Sequence, residues 1–87
     1  MKIKLDQDFV DIAKDILSEN KTLEEWAEIE SDDVFQKGAF IGGFDATEEE
    51  FCFSYEVEEE YWFQLPLEDI EKVVKREITE IEGDLAD

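Results

Sequence analysis

Histidine is absent from this sequence, and cysteine occurs once, at Cys52. Without histidine, neither a Ser/His nor a Cys/His nucleophile pair can form. Because a single cysteine cannot form an internal disulfide, the expected compartment is the reducing cytoplasm. Cys52 has no cationic residue near it in the sequence and lies among aromatic residues, so we expect an inert, buried thiol.

Long apolar runs are absent too. No stretch approaches the roughly 18–20 apolar residues of a membrane span. Residues 1–10 lack the apolar segment and the small-residue cleavage site of a secretion signal. Hydrophobic residues nonetheless make up 43% of the chain and aromatic residues 13%, which is enough for a packed core. With 87 residues, we expect a single domain over 1–87 and no membrane association.

Basic residues are scarce: eight lysines and arginines stand against 27 aspartates and glutamates, and the net charge is −19. Such a surface repels nucleic acids and anionic membranes, and it attracts basic proteins and cations. The acidity is concentrated in residues 23–33 and 48–60, which hold thirteen carboxylates and no lysine or arginine. These two ranges are the base-free blocks of the chain, and their like charges repel one another.

Motifs for catalysis or for metal binding are also missing. The glycines of residues 38–43, GAFIGG, match neither a phosphate-binding loop nor a dinucleotide fingerprint. The acidic stretches 45–50 and 58–60 could collect Ca²⁺ or Mg²⁺ weakly, but neither contains the Asp-x-Asp-x-Asp-Gly loop that forms a site. We therefore expect no catalytic residue, no cofactor and no dedicated metal site.

Helical periodicity and capping residues predict the helices. Asp6 is an expected N-cap of the first helix, and Thr22 with Glu25 forms a capping box at the start of the second. Pro66 favours the first turn of the last helix, and Gly83 is the expected residue that follows its end. The predicted helices are residues 7–19, 23–31 and 67–82, the last with a buried stripe of Ile70, Val73, Val74, Ile78 and Ile81.

Alternating apolar and polar residues predict strands over 34–41, 51–57 and 61–65, with a short edge strand near the N-terminus. Because the three central strands follow one another closely, we expect a three-stranded antiparallel β-meander packed by two or three helices. The predicted class is α+β, with the element order (β)ααβββα. The predicted core comprises Phe9, Ile12, Ile16, Trp26, Phe51, Phe53, Tyr55, Phe63, Ile70, Val74 and Ile78.

Trp62 falls on the face of the hairpin opposite to that core, together with Cys52, Ser54 and Gln64. With three helices available, we expect one of them to cover this face and to place Trp62 in a second core. If the face is left uncovered, Trp62 is an exposed aromatic side chain beside many carboxylates. That combination suits an arginine-rich partner through cation–π contact and ion pairing.

Two functions from different classes fit these observations. The first is a non-enzymatic inhibitor, immunity or nucleic-acid-mimic protein that binds a basic protein surface, such as that of a nucleic-acid-binding protein. In charge and size the chain is similar to DNA-mimic antirestriction and anti-CRISPR proteins and to immunity proteins of nuclease toxins, without a shared motif. The predicted contact residues are Glu24, Glu25, Glu28, Glu48, Glu49, Glu50, Glu58, Glu59, Glu60 and Trp62.

The alternative is an oligomeric accessory or small-ligand-binding domain whose acidity serves solubility alone. An uncovered aromatic sheet face would then form a homodimer interface or a pocket.

Overall fold

The computed structural model describes residues 1–28 and 34–86, and it is an α+β fold with an antiparallel sheet, as predicted. None of the helices in this described part has the length and the hydropathy that a membrane crossing requires. The elements are β1 (Lys2–Lys4), α1 (Gln7–Ser18), α2 (Leu23–Glu28), β2 (Phe35–Lys37), β3 (Phe40–Asp45), β4 (Glu50–Glu56), β5 (Glu60–Leu65), α3 (Leu67–Val74), β6 (Glu80–Glu82) and β7 (Asp84–Leu85).

The first two helices begin at the capping residues that the sequence indicates. The Asp6 side chain accepts hydrogen bonds from the backbone N–H groups of Asp8 and Phe9, which have no partner inside α1. Thr22 and Glu25 exchange side-chain hydrogen bonds with each other's backbone N–H, which is a complete capping box. Helix α2 is described as far as Glu28, so its predicted continuation to residue 31 lies outside the described residues.

Within residues 1–28 and 34–86, the main sheet has five strands rather than the predicted three, in the order β2-β3-β4-β5-β7, and every pair is antiparallel. The predicted strand over residues 34–41 is in fact a hairpin. Gly38 has a φ of 59°, a left-handed conformation that glycine adopts without strain, and it reverses the chain between β2 and β3. Strand β3 then continues through the glycine pair to Asp45.

The predicted last helix is wrong beyond Val74. The N–H of Glu77 bonds to the carbonyl of Lys72 and that of Arg76 to Val73, a Schellman motif that ends α3 with Arg76 at a φ of 63°. The chain then turns back to form β6, which pairs with β1 in a separate two-stranded sheet.

Gly83 is therefore not the residue that ends α3. It lies buried between β6 and β7, and a Cβ atom there would be 2.4 Å from Cδ1 of Ile3, which is fully buried. Close approach of Ile3 accounts for glycine at this position. The residues after it form β7 on the edge of β5.

The core lies between the helices and one face of the main sheet, which we call the inner face. The Phe9 ring is 5.0 Å from that of Phe53 and 5.5 Å from that of Phe63, while the Trp26 ring is 5.1 Å from Phe51. Eight of the predicted core residues are buried; the other three, Tyr55, Val74 and Ile78, are half-buried and pack against them. Val73, which was predicted in the buried stripe of the last helix, is also buried. The buried hydrophobic residues outside both predicted sets are Ile3, Leu5, Val10, Ala13, Phe40 and Leu65.

Glu49, in the turn between β3 and β4, has a φ of 58°. Because a left-handed conformation is unfavourable for a residue with a Cβ atom, we expect Glu49→Gly to raise the free energy of unfolding by about 1 kcal/mol. Urea denaturation measures this change. Glu48→Gly removes the same charge from a neighbour in the same turn, and we expect no stabilisation from it. Equal effects of the two substitutions would show that charge, and not backbone strain, determines the gain.

Candidate protein-binding surface

The second face of the main sheet, the outer face, has no helix packed on it in the described part of the chain, since α1, α2 and α3 all contribute to the core on the inner face. The expectation that a helix covers Trp62 is wrong: this residue is 57% exposed, and its neighbour on the face, Ile41, is 38% exposed. By strand alternation and register, the outer face consists of Gln36, Ile41, Gly43, Asp45, Glu50, Cys52, Ser54, Glu56, Glu60, Trp62, Gln64 and Asp84.

Trp62 occupies a fixed position on this face although it is exposed. Its indole N–H donates to Oε1 of Glu60 at 2.7 Å, and the Ser54 hydroxyl donates to the same oxygen at 3.1 Å. In the sheet register, Ser54 and Asp84 are the direct neighbours of Trp62 on the two adjacent strands. The indole ring is thus held by a carboxylate while much of its surface remains accessible.

A shallow concavity of about 330 Å³ lies beside Trp62 on the outer face, with Ile41, Ser54 and Gln64 also in its lining and Asp45 contributing a carboxylate. Asp45 is held in place by the backbone N–H of Thr47, which donates to its Oδ1 at 2.9 Å. The surface next to the exposed indole is therefore built from apolar, neutral polar and acidic groups.

Cys52 lies in the lining of the same concavity and is partly buried, between the side chains of Asp45 and Gln64. Burial raises the pKa of its thiol, and the negative charge of Asp45 adds to this, although the hydrogen bond from Gln64 acts in the opposite direction. A raised pKa leaves less thiolate at neutral pH, and the Cys52 side chain is less buried than expected.

We expect Cys52 to be alkylated by iodoacetamide more slowly at pH 8 than the same cysteine in the urea-unfolded chain. A raised pKa leaves less thiolate at a given pH, so the rate profile should also shift to higher pH on folding. Rates measured from pH 7 to pH 10, with and without urea, test this. Identical profiles in both conditions would contradict it.

The structure divides the predicted contact residues between two ends of the main sheet. Glu48, Glu49 and Glu50 stand at the start of β4, and Glu58 to Glu60 follow its end. Strand β4 has seven residues, which at 3.3 Å each separate the two groups by about 20 Å.

The glutamates of α2 belong to the first of these groups. Trp26 on that helix contacts Phe44 near the end of β3 and Phe51 near the start of β4, at ring distances of 6.1 and 5.1 Å. We call the two groups the helical end (Glu24, Glu25, Glu28, Glu48, Glu49 and Glu50) and the hairpin end (Glu58, Glu59 and Glu60). Trp62 lies two residues from the hairpin end, so the ten predicted residues do not form one continuous patch.

The ion pairs of the described residues involve carboxylates outside the helical end and the hairpin end. Within residues 1–28 and 34–86, none of the ion pairs involves a glutamate of the helical end or the hairpin end. The pairs are Lys2 with Glu80, Lys21 with Glu19, Lys37 with Asp11, Lys72 with Asp69, Lys75 with Glu71, and the Met1 amine with Glu82. The charge of both ends is therefore left for solvent ions or a partner to neutralise.

Sequence reasoning missed two carboxylates near Trp62. Glu56 stands directly opposite Glu60 in the β4–β5 register, where like charges repel each other. A hairpin register drawn from the sequence could have shown this pair. Asp84 reaches Trp62 only because β7 pairs with β5. No local pattern in the sequence could have indicated that contact.

A second and larger concavity, of about 580 Å³, lies at the helical end. Its apolar lining includes Leu17, Leu23 and Leu67, and Glu49 and Glu68 stand among its polar residues. Among the described residues, no group of three or more potential metal ligands is present. Lys21 also lines this concavity, which therefore combines apolar, acidic and basic groups and has no aromatic side chain in its lining.

Comparison with protein families, with curated proteins and with solved structures gave no match to this chain. Its function is accordingly inferred from the residues and the geometry described above.

Proposed function

We propose that this is a non-enzymatic acidic protein that binds a basic surface of another protein through the outer face and the hairpin end. The observation that carries the proposal is the exposed indole of Trp62, held by Glu60 and bordered by further carboxylates that have no cation of their own in the described structure. Exposed, rigid aromatic side chains are typical anchors of protein interfaces.

The charge distribution supports a basic partner. Glu56 and Glu60 face each other across the β4–β5 pair, and Asp84 lies opposite Trp62 on the other side. Lysines or arginines of a partner would relieve the repulsion among these carboxylates, and the net charge of −19 would speed the encounter.

Nucleic-acid-binding proteins offer surfaces of this kind, because they neutralise phosphates with lysine and arginine. An acidic protein that occupies such a surface excludes the nucleic acid. An inhibitory or immunity role, in which carboxylates take the place of phosphates, therefore follows naturally from the proposed binding.

The test is the affinity for a basic partner captured from lysate at low ionic strength and then purified. We expect the dissociation constant to rise steeply between 50 and 500 mM salt, roughly the range over which exposed charges become screened. We also expect Glu56→Gln/Glu60→Gln to weaken binding more than Asp15→Asn/Glu77→Gln. The second pair of substitutions removes the same charge from α1 and from the segment after α3, away from the outer face.

The alternative, a homodimer built on the same face, predicts the opposite response to salt. Two copies that carry the same negative charge repel each other, so screening should strengthen their association while it weakens binding to a basic partner. Light scattering at both salt concentrations separates the two cases. Two results together would overturn the proposal: a dimer whose dissociation constant falls as salt is added, and a captured protein whose affinity is unchanged by the outer-face substitutions.

A further inference from the structure

The concavity beside Trp62 has the chemical features of a receptor for one kind of side chain. Trp62 provides an exposed aromatic surface and Ile41 an apolar one, with Ser54 between them in the sheet register. Carboxylates flank the indole on two sides, since Glu60 accepts its N–H and Asp84 is its neighbour on β7. A side chain that fits this place therefore has a planar or apolar part and a cationic group at its end.

Among the described residues, the strands that form this place carry no cation directed at it. The sequence from residue 38 to residue 71, which includes β3, β4 and β5, contains no lysine or arginine. Lys37, on the edge strand β2, belongs to the inner face by strand alternation and pairs with Asp11 of α1. With Asp45 in the lining and Glu60 and Asp84 next to Trp62, the charge of this place is complementary to an external cation.

On the basis of the proposed function, we propose that this concavity receives an arginine side chain of the partner and prefers arginine to lysine. A guanidinium group is planar and weakly hydrated, so it can stack on the indole of Trp62 while it donates hydrogen bonds to a carboxylate. Its aliphatic stem can lie over Ser54 against Ile41.

The carboxylates beside the indole suit this geometry. Glu60 accepts hydrogen bonds from Trp62 and from Ser54 at Oε1, so the indole and the carboxylate are fixed relative to each other before a ligand binds, and its second oxygen, Oε2, can accept from a guanidinium. A guanidinium is planar and weakly hydrated, so it can stack on the indole while it donates to Oε2, whereas an ammonium acts as a point charge and remains strongly hydrated. An arginine side chain therefore gains more binding free energy from this pairing than a lysine side chain does.

The experiment uses two peptides of equal length and charge, one with four arginines and one with four lysines in a Gly/Ser background. Titration calorimetry of the intact protein at 50 mM salt should show the arginine peptide binding about five- to tenfold more tightly, in line with cation–π contact at a partly exposed tryptophan. In NMR spectra, the indole N–H signal of Trp62 should shift with the arginine peptide and much less with the lysine peptide. Trp62→Phe assigns that signal.

Trp62→Leu keeps an apolar side chain but removes the aromatic ring. It should therefore abolish the preference for the arginine peptide over the lysine peptide, while both peptides still bind. Circular dichroism of this variant checks that it folds, as expected for a residue that is 57% exposed. Equal affinities for the two peptides in the unmodified protein would overturn the arginine site, yet salt-sensitive binding of both would leave the proposed function standing. If neither peptide binds at 50 mM salt, both proposals fail.

Discussion

Replacing Phe53 by alanine is expected to lower the free energy of unfolding by about 3–5 kcal/mol, the usual cost of truncating a large buried aromatic side chain. Phe53 is 2% exposed and stands at the centre of the inner face, with its ring 5.0 Å from Phe9 and 5.9 Å from Phe63. Removing the ring leaves a cavity between α1 and the sheet. Domains of this size are stable by only about 5–15 kcal/mol, so the loss is a large fraction of the total.

Trp62→Ala is the matched control, because it removes an even larger aromatic side chain from the opposite face of the same sheet. Since Trp62 is 57% exposed, we expect this variant to lose less than about 1 kcal/mol. Urea denaturation of both variants measures the difference. If Phe53→Ala proves too unstable to purify, Phe53→Leu retains part of the buried area and should show a smaller loss of the same sign. Equal losses at positions 53 and 62 would contradict the assignment of the two faces.

Features that depend on neighbouring residues could be predicted from the sequence. Helix α1, the capping box at Thr22 and the β4–β5 hairpin are encoded by periodicity and capping within stretches of about ten to fifteen residues. The division of the hairpin into an apolar and a polar face follows from the same alternation. The assignment of Phe53 to the core was correct for this reason.

Features that depend on residues far apart in the sequence could not be predicted from it. The sequence from residue 67 to 82 has helical spacing of its apolar residues, but Ile81 pairs with Ile3 across β6 and β1 instead of extending α3. Tertiary pairing overrides local propensity in such cases. Nothing local indicates that the residues after Gly83 add an edge strand to β5.

In the candidate binding surface, too, some features could be predicted from the sequence and others could not. That Glu58–Glu60 lie near Trp62 follows from the hairpin, and their separation from Glu48–Glu50 follows from the length of β4. The exposure of Trp62 could not be predicted, because it depends on where three helices pack. Once all three contribute to the inner face, the outer face is left without a helix in the described part of the chain.

The largest expected effect on binding comes from reversing the hairpin end. Replacing Glu58, Glu59 and Glu60 by lysine should weaken binding to the basic partner by at least about 100-fold, because attraction becomes repulsion beside the proposed anchor Trp62. Reversal of Glu28, Glu48 and Glu49 at the helical end, a set that avoids Glu50 on the outer face, changes the net charge by the same amount. It therefore serves as the control for long-range electrostatics, and it leaves the α2 capping box intact.

The two reversals should differ most in the dissociation rate. Charges outside a contact act mainly on the rate of encounter, whereas charges within it also determine how long the complex lasts. Surface plasmon resonance should thus show slower association for both variants but faster dissociation only for the hairpin-end variant. If the helical-end variant dissociates faster instead, the contact lies on the surface around α2 and Glu48–Glu50, and Trp62 is not its anchor. The Glu60–Trp62 hydrogen bond makes the first result the expected one, because it places a carboxylate and the exposed indole in the same contact.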